Sequence, residues 1–138
     1  MRYLLLLVLL VACDDKDNKK PDDTPKVGAA ATTKPATSRD ALVEAWKKGG
    51  LTPSVMTPAQ VAFGKDCASG TVGQIDVLVC TFPTEAEAKA AADAAYGWVG
   101  EATGAVKASG PLLIAAVDRR KSDPSGRTIN QLIKLATK

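Results

Sequence analysis

The chain predicts an α+β domain, a two-layer sandwich of a mainly antiparallel sheet with helices on one face. Three observations carry that expectation. Apolar residues recur at helical spacing in Leu42, Val43 and Trp46, and again in Ile129, Leu132, Ile133 and Ala136. Between those helices lie runs that read as strands, at residues 71–82, 103–108 and 112–117. The turns between elements are short and Gly- or Pro-bearing, as antiparallel neighbours require.

Ser38 is placed to cap the first helix, residues 39–48, whose charged residues Asp40, Glu44, Lys47 and Lys48 mostly face away from the apolar stripe. Gly49-Gly50 stops it by offering a residue that tolerates the left-handed conformation. Trp46 at this spacing is a core anchor rather than a sugar-stacking platform. Pro53 and Pro58 argue against a long regular element in residues 51–64. A short extended piece around Ser54-Val55-Met56 and a second piece or helical turn at residues 59–63 fit there.

The clearest strand is residues 71–82. Ile75, Val77 and Val79 share one face, while Leu78, Cys80 and Phe82 make the other apolar, which places this strand centrally. Ser69-Gly70 reads as the turn before it. Pro83 ends the strand, and Thr84-Glu85-Ala86-Glu87 is a capping box for an alanine-rich helix reaching Tyr96 or Val99. Glu85 and Glu87 point apart on that helix and suit the positive end of its dipole, so they are no catalytic pair. Residues 103–108 and 112–117 form a strand–turn–strand unit around Ser109-Gly110-Pro111, the second strand near the middle of the sheet. Asp123 and Pro124 are placed as N-cap and first residue of the last helix. Each half of the domain reads as a helix followed by strands, but no matching residues establish a repeat.

Cysteine and charge bound the chemistry. Cys67 and Cys80 form an even pair once Cys13 is otherwise used, and in an exported chain such a pair reads as a disulfide. It closes a loop of about 14 residues and contributes about 3 kcal/mol in the chain-entropy account. A hairpin turning at Ser69-Gly70 does not set Cys67 opposite Cys80, so Cys67 is expected in a loop or on a segment crossing the strand end. A redox catalyst would place its cysteines two residues apart. The 18 Lys and Arg nearly balance the 15 Asp and Glu, for +3 overall, and no basic face stands out for nucleic acid. Histidine is absent, which removes the commonest general base and metal ligand. No nucleophile elbow, phosphate-binding glycine loop or metal-ligand cluster is present, and no cofactor or metal is expected. Arg119, Arg120 and Lys121, following Asp118, are the one candidate anion site, weighed against an ordinary solvated loop.

The N-terminus carries a different signal. Met1-Arg2 precedes an apolar run ending Leu10-Val11-Ala12-Cys13, too short to span a bilayer. It resembles the lipobox of bacterial lipoproteins, and the domain is similar in general plan to small envelope lipoproteins with one disulfide beside a central strand. The resemblance implies a signal peptide over residues 1–12, cleaved to leave Cys13 carrying diacylglycerol and a further acyl chain, such as palmitate, which together suffice for stable anchoring. Residues 14–37 hold five Asp and five Lys with few large apolar residues, and read with Cys13 as a disordered tether over 13–37. Its typical span is about 27 Å. The folded domain is then 38–138. Asp14 resembles a signal for retention in the inner membrane, with the domain facing the periplasm or exterior.

The expected function is that of a lipid-anchored envelope protein that binds another envelope protein or an envelope polymer without catalysis, or occludes a partner's site. The alternative is a hydrolase or transferase using Asp76, Asp118 or Asp123, which requires two of those carboxylates to converge.

Overall fold

The structure, a computed structural model, describes residues 36–138. The expected signal peptide, Cys13 and nearly all of the expected tether lie outside the described residues. Residues 36–138 belong to one compact unit. Among the described residues no helix is long and apolar enough to cross a membrane.

Helix α1 (Arg39–Lys48) begins where expected, with the Ser38 Oγ accepting from the Ala41 amide at 3.2 Å. It ends in a Schellman motif. The Gly50 amide donates to Lys47 and the Leu51 amide to Trp46, with Gly50 at φ +82°.

Strand β1 (Thr57–Val61) follows, so the second piece is a strand rather than a helical turn. Val55 is 84 % exposed between β1 and Ser54, whose amide donates back to Thr71. Strands β2 (Gly64–Val72) and β3 (Ile75–Thr81) come next. The single strand expected over residues 71–82 is therefore two strands. The chain runs straight through Ser69-Gly70 and turns at Gly73-Gln74, where Gly73 has φ +60°. A glycine at the first central position of a two-residue hairpin loop supplies the positive φ that matches the strands' twist. Ser69 and Gly70 resemble turn residues in composition, but the pairing of Ser69 with Thr57 and Leu78 and of Gly70 with Val77 overrides that preference.

Helices α2 (Glu85–Ala90) and α3 (Ala92–Val99) are nearly continuous, interrupted at Ala91, and the Thr84–Glu87 capping box is formed. Strands β4 (Thr103–Ser109) and β5 (Leu112–Asp118) and helix α4 (Arg127–Ala136) complete the domain. The N-cap of α4 is Gly126, three residues beyond Asp123.

The five strands lie in the order β1-β2-β3-β5-β4, and every neighbouring pair is antiparallel. The α+β class and the central place of β3 follow from that order. The helices, however, lie on both faces. Ile75, Val77, Val79, Leu112 and Ile114 pack with Leu42 and Trp46 of α1 and Ile129 and Leu132 of α4. On the other face Leu78, Cys80, Leu113, Ala115 and Val117 pack with Ala95 and Val99 of α3. Three layers replace the expected two because β3 and β5 are apolar on both sides, and each apolar face must be buried. Trp46 is fully buried, and its indole Nε1 donates to the Leu132 carbonyl at 3.1 Å, locking α1 to α4.

Candidate functional site

The two-residue turn sets the register of the β2–β3 hairpin. Counting outward from Val72 opposite Ile75, Cys67 falls directly opposite Cys80, and the two form a disulfide with Cα atoms 4.0 Å apart. The expectation that Cys67 sits off the strand is corrected by the position of the turn. Such a short separation suits the non-hydrogen-bonded pairs of an antiparallel ladder. The bond is buried and faces the same side as α3. Gly64 lies against it: a Cβ there would stand 2.6 Å from the Cys67 Sγ.

Arg119 and Arg120 converge on one carboxylate. Arg120 Nη1 donates to Asp76 Oδ1 at 2.8 Å and to the Gln74 carbonyl at 2.9 Å. Arg119 stands 3.6 Å from Asp76 Oδ2, donates to the Trp98 carbonyl at 2.7 Å and stacks 4.4 Å from the Trp98 ring centroid. Both guanidiniums stay about half exposed, while Asp76 is largely covered. Lys121 does not join them. It lies at φ 56° in the next turn, in a small cleft shared with Glu101 and Thr103.

Asp118 and Asp123 are buried, and each is occupied by backbone amides. Asp118 accepts from the Ser122 amide and hydroxyl and from the Asp123 amide at 2.6 Å. Burial alone would raise its pKa, but these hydrogen bonds to the charged form outweigh burial and hold it below the usual carboxylate range. Asp123 in turn accepts from the amides of Arg127, Thr128 and Ile129, capping α4 from a distance. The alternation of β3 and β5 puts Asp76 on the α3 face and Asp118 on the α1/α4 face, so these two carboxylates do not converge. Among the described residues no three His, Cys, Asp or Glu side chains gather to hold a metal ion.

Among the described residues, one open surface is a quarter of the sheet. On the face bearing the disulfide, α2 and α3 pack over β4 and β5, and among the described residues no helix packs closely on β1 or β2. There the pleat presents Thr57 and Ala59 from β1, Ser69 and Thr71 from β2, and Asp76 from β3. Trp98 and Arg119 flank this floor at one end. At the other, Phe63, Phe82 and Pro83 line a cleft of about 600 Å³ with Lys65 and Glu87 at its rim. Thr57, Thr71 and Trp98 carry no functional mark in the sequence, and Ser69 is marked there only as a turn residue. The signal available was the alternation of Cys67, Ser69 and Thr71, which becomes visible only once Gly73-Gln74 is taken as the turn.

No family model matches this chain, nor does any curated protein or any solved structure.

Proposed function

We propose that this is a lipid-anchored protein of the bacterial envelope, held through Cys13, whose domain binds a partner and performs no chemistry on it. The uncovered quarter of the sheet carries the reading, because it is a preformed surface flanked by a half-buried tryptophan and a partly exposed guanidinium on a disulfide-braced hairpin. Binding surfaces are built this way, with fixed aromatic and arginine groups on rigid elements. The carboxylates that a hydrolase needs free are engaged here, Asp118 and Asp123 with amides and Asp76 with guanidiniums.

Two experiments test the two halves. Radiolabelled palmitate is expected to enter the wild-type protein and to be absent from Cys13→Ala; labelling of both would remove the anchor. A photo-crosslinking residue at Ser69 is expected to give one discrete adduct in intact cells, while the same group at Lys107 on β4 gives none. Equal yields at both positions would remove the binding surface.

A further inference from the structure

The chemistry of the uncovered quarter narrows what can occupy it, on the footing that the domain is a binding module. Where helices cover this face, the strands present Leu78, Leu113, Ala115 and Val117. Where no described helix covers it, the same face carries Thr57, Ser69, Thr71 and Asp76 beside Ala59 and the buried Cys67. An apolar helix docking there would strip water from three hydroxyls and an ion pair without returning hydrogen bonds, at a cost for each group. The occupant therefore brings its own dense array of donors and acceptors. Within the described residues the Ser69 and Thr71 hydroxyls donate to no protein group, and the Thr57 hydroxyl makes only a long 3.4 Å contact with the Ser69 carbonyl.

Length and charge add two constraints. From Thr71 to Lys65 along β2 this face runs about 20 Å at strand rise, long enough for a chain, with the buried Cys67 and half-buried Ala59 separating the hydroxyls at one end from Lys65 and Phe63 at the other. At the Trp98 end two guanidiniums face one carboxylate, leaving a positive charge in excess. Lys121 lines a neighbouring cleft together with Glu101. Guanidiniums bind carboxylates well, and Asp76 already takes one contact from Arg120 and stands 3.6 Å from Arg119.

We propose that this surface binds an acidic polysaccharide, a glycan chain bearing sugar carboxylates, laid along β2. Its hydroxyls meet Thr57, Ser69 and Thr71, and a carboxylate shares the exposed side of Arg119 beside Trp98. An extended acidic polypeptide is the competing occupant. The hydroxyl-lined floor favours sugar, since an extended peptide would draw its affinity from pairing along the free edge of β1, at the border of this surface, rather than from lying on the floor.

The test uses the protein without its lipid and an alginate hexasaccharide as probe, followed by amide NMR. Saturable shifts are expected at Thr57, Ser69, Thr71 and the Trp98 indole, weaker with added salt and weaker still for uncharged cellohexaose. Arg119→Gln should lower affinity at least about tenfold, the scale of one charge-assisted contact. Thr57→Glu, at an exposed strand position, should abolish binding while leaving thermal unfolding unchanged, and Lys107→Gln on the far edge should change neither. Shifts elsewhere, no shifts, or equal or tighter binding of hexaglutamate overturn the proposal. If the saccharide fails while the Ser69 crosslink in cells persists, the glycan is wrong and the binding module stands. If both fail, both fall.

Discussion

At the residue scale, single polar atoms fix where the helices sit. Trp46 fills the core beneath α1 and spends its one donor on the Leu132 carbonyl. Trp46→Phe leaves a void and drops that bond, so it should cost about 2–3 kcal/mol in urea unfolding. A loss under about 0.5 kcal/mol, the range of ordinary surface changes, would mean the indole is not an anchor. Asp118 orders the loop before α4 by accepting from two amides, and Asp123, positioned by one of them, caps the helix. The amide of Asp118→Asn turns a donor toward one of those N–H groups and is destabilising at neutral pH. The sign of the pH effect follows from the depressed pKa. The carboxylate contributes fully above its unfolded value near 4 and loses that contribution as pH falls through the lower folded value. The stability gap between wild type and Asp118→Asn should therefore narrow below about pH 4. A gap constant from pH 7 to pH 2.5 would contradict this role.

At the scale of elements, the β2–β3 hairpin decides both the disulfide and the open surface. Gly64 is the position that makes room for the bond, since a methyl there meets both sulfurs, at 2.6 and 3.2 Å. Gly64→Ala should destabilise the oxidised protein by about 1–3 kcal/mol, the usual penalty of overpacking. In the Cys67→Ala, Cys80→Ala background the same change should cost much less, and equal losses in both would place the clash elsewhere. The hairpin also marks where sequence reading succeeds and fails. Helix α1 was legible to its termini because Ser38, the Leu42/Trp46 spacing and Gly49-Gly50 all agree, and the Thr84–Glu87 box was legible for the same reason. The turn was misplaced because Ser69-Gly70 and Gly73-Gln74 are both plausible by composition, and only long-range pairing with β1 and β3 chooses between them. That one shift hid the facing cysteines and the row of hydroxyls. Arg119 and Arg120 were legible as a charged cluster, but their partner Asp76 lies more than forty residues away and is brought to them by the β3–β5 pairing. Helices on two faces were foreshadowed by the all-apolar run at residues 112–117, which has no polar side to turn to solvent.

At the scale of the whole domain, β3 and β5 bind the two cores into one. Successive residues of β3 alternate between them, Val77 and Val79 into the α1/α4 side and Leu78 and Cys80 into the α3 side. Neither face can lose its packing without exposing the strands that carry the other, so the domain should unfold as a single cooperative unit. The two tryptophans report the two faces separately, Trp46 within the α1/α4 core and Trp98 beside Arg119 on the α3 side. With Trp98→Phe leaving Trp46 as the sole probe, the urea midpoint by fluorescence should coincide with that by far-ultraviolet circular dichroism. The same coincidence is expected for Trp98 in Trp46→Phe, at a lower midpoint. An earlier Trp98 transition would mean that the α3 face opens before the core and that the binding surface is not rigid. Coincident transitions mean that the hydroxyl row, the guanidinium pair and the disulfide are held in place by the full stability of the fold, so a ligand meets a surface whose ordering cost was met on folding.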